Sequence, residues 1–218
     1  MRVQRAPRAA DQPQRAPEGL VRHDRAPAVP TPAAGPAPAR SADGTGAFSA
    51  DVDLDLTALA GRSPEDLFAE VVVRLLTACH REGLVDVGSA LRVVTPTDGG
   101  FAGVRVDGAV DRSAPGLSAV LGAPGTELPP ADAGTLTVVD ARGSRTRAQG
   151  DWGLGGGLGV ATLGRVGSAV VSSRRPAGLV LGERLGAGLG LTVPDAARAA
   201  QVVRALDAVA RSLEGPVG

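Results

Sequence analysis

Residues 184–215 read RLGAGLGLTVPDAARAAQVVRALDAVARSLEG, and this run decides the fold class. In 189–193, apolar Leu189, Leu191 and Val193 alternate with Gly190 and Thr192, the period of a strand with one buried face. Pro194-Asp195 follows at once and suits the first turn of a helix. Val202, Val203, Leu206, Val209 and Leu213 then recur at helical spacing, and Gly215-Pro216 stops the helix. A strand, a very short turn and an amphipathic helix predict an α/β domain with helices packed on a sheet.

The chain has 218 residues, enough for one medium domain plus a tail. Aromatic residues are 2% of it, so the core is expected to be built from Val, Leu and Ala. Lysine is absent, which excludes a lipoyl-lysine, a Schiff base and a phosphate-loop lysine. The formal net charge is zero and argues against non-specific binding of nucleic acid. No secretory apolar region opens the chain, and the longest apolar candidate, 176–193, is broken by Glu183-Arg184. The single cysteine, Cys79, excludes an internal disulfide. A cytoplasmic protein with no nucleic-acid or membrane partner is expected.

Residues 1–46 hold eight of the 17 prolines, repeat Arg-Ala-Pro at Arg5, Arg15 and Arg25, and show no apolar period. Such a segment buries too little apolar surface to offset its ordering entropy, so a disordered tail is predicted there. The folded domain is placed at 47–218. It opens on Asp51-Val-Asp-Leu-Asp-Leu56, an alternating strand whose aspartates lie along a wet face and do not wrap a metal ion. Ser63-Pro64-Glu65-Asp66 starts a helix, Leu67, Phe68, Val71, Val72, Leu75, Leu76 and Cys79 form its apolar face, and Gly83 ends it. Strands are predicted at 90–95, 102–107, 135–139, 158–163, 166–172, 177–183 and 185–193. Segment 114–122 is ambiguous, because Pro115, Gly116 and Gly122 leave a helix little room.

Several of these segments together resemble the catalytic domain of dihydrolipoamide acyltransferases, the core subunits of 2-oxoacid dehydrogenase complexes. Gly134-Thr-Leu-Thr-Val-Val-Asp140 is similar to the family's Gly-Thr-Phe-Thr-Ile-Ser-Asn strand. Asp195-Ala-Ala-Arg198 matches the start of its last helix, and the pieces between 48 and 215 come in the family's order. The resemblance implies a coenzyme-A-dependent acyltransferase-like mixed sheet with helices on one face. It also implies coenzyme A as a ligand and either a homotrimer or association with other subunits of an acyltransferase complex. With no lysine to lipoylate, no cofactor is held covalently and any substrate arm comes from another chain.

The family's reaction needs a histidine in the turn before the last helix, acting as general base on a thiol. Here that turn is reduced to Val193-Pro194. Of the family's oxyanion-stabilising hydroxyls, Thr135 and Thr137 carry over, while its Ser-Asn pair falls on Val139-Asp140. The chain's two histidines are His23, in the predicted tail, and His80, at a helix C-terminus where the dipole favours an imidazolium. His80 is the remaining candidate base. Cys79 falls on the apolar face and reads as a buried thiol. Arg142, Arg145 and Arg147 read as a solvated loop or as phosphate contacts. Gly153–Gly159 reads as a flexible connection and Trp152 as a packing anchor. The expected function is therefore that of an acyltransferase-like protein impaired in catalysis and serving assembly or binding. The alternatives are an active transferase using other residues and an unrelated small interaction protein.

Overall fold

Alternation along Phe48–Asp55 produces the first strand, β1, with Ser49, Asp51 and Asp53 exposed and Leu54 buried. The computed structural model describes residues 46–121, 125, 127–144, 154, 157–175 and 178–214, with the backbone alone for 171–175 and 178–181. The predicted tail as far as 45, the cluster partners Arg145 and Arg147, Trp152, and Gly153, Gly155 and Gly156 of the glycine-rich connection lie outside the described residues.

The remaining elements are α1 (Pro64–Arg81), β2 (Ala90–Thr97), β3 (Gly100–Val106), α2 (Ala114–Leu121), β4 (Thr135–Asp140), β5 (Gly159–Leu163), β6 (Gly167–Arg175), β7 (Gly178–Val193) and α3 (Ala199–Leu213). The strands form one seven-stranded sheet in the order β1-β7-β5-β4-β2-β3, with β6 paired to β7 alone. The pairs β2–β4 and β4–β5 are parallel and the others antiparallel, so the sheet is mixed. Strands 135–139 and 189–193 share this sheet as predicted, and Leu206 of α3 is buried.

Alternate residues on each strand point to opposite faces. On one face Leu54, Leu91, Val93, Leu136, Val138, Ala161, Leu189 and Leu191 join the buried faces of α1, α2 and α3 in a single core. Helices thus cover this face. The core is Leu, Val and Ala with Phe68 as its buried aromatic. On the other face a small cluster of Val94, Val139, Ala141, Leu154 and Val160 forms separately.

Three local readings change. The two strands expected at 177–183 and 185–193 are one continuous strand. Arg184 does not break it, because it holds its register opposite Ala169 and pairs with Asp55 at 2.9 Å. The last helix does not begin at Pro194. Asp195 is extended, its carboxylate accepts from Ala197 N at 2.9 Å, and a 3-10 turn at Ala196–Arg198 leads into α3. Segment 114–122 forms α2, with Pro115 in the first turn, where its missing N–H costs nothing. Ser118 of α2 donates to Asp66 of α1 at 2.8 Å and ties the two helices. The start of α1 follows its sequence signature, with Ser63 Oγ accepting from Asp66 N at 3.1 Å. Pro96 in β2 is tolerated because β2 pairs with β4 only as far as Val94.

Candidate functional site

Strand β4 carries the candidate hydroxyls, and its register fixes their surroundings. Thr137 lies beside Arg92 of β2 and Val160 of β5, Arg92 beside Arg105 of β3, Val160 beside Thr192 of β7, and Thr192 beside Ser49 of β1. A row of six side chains therefore crosses the sheet on the face away from the helices. Thr135 and Thr137 are both fully buried on this face.

Both hydroxyls are engaged. Thr135 donates to Asp132 Oδ1 at 2.6 Å, and its oxygen accepts from Arg105 Nη1 at 3.3 Å. Arg105 also pairs with Asp132 at 2.9 Å and with Asp107 at 3.0 Å. The Thr135 hydroxyl first, and Arg105 second, hold the Asp132 carboxyl below its usual range. Thr137 Oγ1 accepts from Arg92 Nε at 3.0 Å. The same guanidinium donates to Pro129 O at 3.1 Å and to Leu154 O at 2.9 Å, so it ties two loops to the sheet. Arg92 is 4% exposed. Its three partners are all neutral oxygens, and burial lowers its pKa from the usual arginine value. It remains a cation, because arginine does not lose its proton in proteins.

Beyond Thr137 the face becomes apolar. Val139, at the position of the resembled family's serine, is fully buried among Val94, Ala141, Leu154 and Val160. Asp140, at the position of the family's asparagine, turns to the helix face. It binds Arg142 through two contacts, Nε to Oδ1 at 2.8 Å and Nη2 to Oδ2 at 2.7 Å. Arg142 also donates to Pro64 O and stacks over the Phe68 ring at 4.6 Å. It is thus not a solvated loop residue but part of the junction between β4 and α1.

His80 is not brought to the hydroxyls. It sits in the last turn of α1, on the helix side of the sheet, exposed, with Nδ1 at 3.0 Å from Val85 O. Cys79 beside it is fully buried, and burial pushes its thiol up to about 12. A thiol held there is no nucleophile near neutral pH. Among the described residues no group of three or more His, Cys, Asp or Glu could hold a metal ion. At the end of β7 the chain passes from Val193 through Pro194 to Asp195, which caps the following turn. Arg92 is the residue that the sequence reading missed. Its signal was an arginine inside the apolar run Ala90–Val94, opposite Arg105 in a predicted neighbouring strand.

No family model matches the chain, and no curated protein does. Solved structures do match. The probable dihydrolipoamide acetyltransferase of Listeria monocytogenes superposes with a TM-score of 0.58 at 12% identity, over 80% of this chain and 88% of that one. A truncated catalytic core of the 2-oxoacid dehydrogenase multienzyme complex of Thermoplasma acidophilum gives 0.53 at 10% identity, over 80% and 89%. The dihydrolipoamide acetyltransferase of Azotobacter vinelandii gives 0.51 at 15% identity, over 78% and 84%. At such identities the likeness is one of fold, and it agrees with the architecture expected from the segment matches. Among the described residues no helix is long and apolar enough to cross a membrane.

Proposed function

We propose that this chain is a shortened relative of the dihydrolipoamide acyltransferase catalytic domain that serves binding or assembly in the cytoplasm and does not itself transfer acyl groups. The observation that carries this reading is the passage from β7 into α3. Strand β7 ends at Val193, and the Asp195 carboxylate caps the next turn through Ala197 N, so no residue capable of taking a thiol proton near pH 7 stands there.

The β4 face supports the same reading. An oxyanion stabiliser must aim a free donor at the reacting oxygen. The Thr135 proton is committed to Asp132, Thr137 is buried against Arg92, and Val139 supplies no hydroxyl. These residues do not fit transfer to coenzyme A. Two of the fold neighbours are cores of multienzyme complexes, which favours self-association or association with such subunits as the retained role. A homotrimer is the form we propose, to be read from the mass of the full chain in solution.

The test is acetyl transfer from acetyl-coenzyme A to dihydrolipoamide, measured beside an acyltransferase that has its histidine. General-base catalysis contributes about 10² to 10⁴ in rate, so only a trace is expected here. Turnover within about tenfold of the reference enzyme defeats the proposal. Loss of such activity in His80→Ala then assigns the base to His80.

A further inference from the structure

The helix face of the sheet contains an open cavity of about 680 Å³ that the proposed function does not use. It lies towards the carboxyl ends of β2 and β4, beneath the first turn of α1, beside Thr95 and Asp140. Crevices at the carboxyl ends of parallel strands are the common place for ligands in α/β folds. The volume is that of a small-molecule site.

Its walls sort by chemistry. Pro64, Leu67, Pro96, Val166 and Leu185 supply an apolar lining without an aromatic ring. Among the described residues two cations face it, and their states differ. Arg142 is held by three partners, the Asp140 carboxylate, the Pro64 carbonyl and the Phe68 ring, so it forms a fixed wall. The Asp140–Arg142 pair also lines a second cavity of about 310 Å³ and stands between the two. Arg62 differs: its side chain is 48% exposed, and its single contact with Glu70 is 3.3 Å long. An exposed pair of that length contributes little and is easily exchanged.

We infer that this cavity binds an aliphatic monocarboxylate, its chain against Leu67, Val166 and Leu185 and its head on Arg62. The charges select the head group. Among the described lining residues, Arg62 and Arg142 against Asp140 leave one positive charge, which suits one carboxylate. Asp140 here, and Glu70 and Asp66 near Arg62, repel a head of higher charge. A guanidinium free to turn takes a carboxylate through two parallel N–H donors. The aliphatic lining, without aromatic faces, suits an alkyl chain better than a planar ring. This inference is independent of the catalytic reading above and survives or fails without it.

Titration calorimetry of the full chain with decanoate, below its micellar concentration, tests it. Decanoate is expected to bind one to one, decanol more weakly, and decyltrimethylammonium not at all. Arg62→Glu should weaken decanoate by about tenfold or more while leaving decanol close to its wild-type affinity. Val166→Trp should fill the cavity and remove both. Ser144→Trp, on another wall, gives the same reading should Val166→Trp fail to fold by circular dichroism. The inference is overturned if decanoate does not bind, if the cation binds as well as the anion, or if Arg62→Glu and the tryptophan variant that folds both bind decanoate like the wild type.

Discussion

The two faces of β4 are held in different ways. On one, Leu136 and Val138 belong to the core shared with three helices and are excluded from water by apolar packing. On the other, Thr135 and Thr137 are equally buried, yet each is reached by an arginine from β2 or β3. A helix needs an apolar stripe, and its packing is non-directional. A loop cannot supply such a stripe, so its carbonyls must be bonded individually. Arg92 does this for Pro129 and Leu154 together. The first face should tolerate rearrangement of shape but not charge, whereas the second depends on particular donors.

Three substitutions sharpen or break that contrast. Leu206→Asp puts a carboxylate on the buried stripe of α3, where no cation is positioned for it, and should cost on the order of 4 kcal/mol by urea unfolding. Retention of wild-type stability would mean that α3 does not close the helix face. Arg92→Ala should cost about 2 to 4 kcal/mol, because Thr137, Pro129 O and Leu154 O lose their common donor while remaining buried. A loss below about 0.5 kcal/mol would show that the loops are held by other means.

The third is the smallest effect and is read by pH. The Asp132 pKa is lowered in the fold, so its contribution to stability is present in full above the ordinary value of 3.8 and is lost as pH falls through the lowered one. The melting temperature of the wild type should therefore fall below pH 3.8 more steeply than that of Asp132→Asn. Parallel curves would remove Asp132 from the network that holds Thr135.

The helix face was legible in the sequence because apolar spacing encodes it. The Ser63 cap, the stripe of α1 and the stripe of α3 each announced an element, and the order of segments announced the fold. Single-residue details at the ends were less legible. Whether Pro194 or Asp195 begins the last helix depends on one capping bond, which spacing does not reveal. The union of two predicted strands into β7 depends on its partners, since β6 supports its first half and β1 and β5 its second. The hydroxyl face was legible as two threonines but not as an occupied site. The arginines that hold them come from strands up to 45 residues away in the chain. His80 was legible as the end of a helix, and its separation from the hydroxyls follows only from the sheet that lies between them.

The pairing of β1 with β7 fixes when the protein can fold. Ser49 and Thr192 share a hydroxyl contact of 2.8 Å although 143 residues separate them. During synthesis β1 leaves the ribosome early and waits unpaired until nearly the whole chain has followed. Pairings so distant are slow to form, and a strand waiting with open edges is exposed to wrong partners. Asp51, Asp53 and Asp55 on its outer face carry like charges through that interval, which discourages two nascent copies from stacking. The second half of β7 thus completes the first strand, and a chain stopped before β7 lacks the one strand that β1 pairs with.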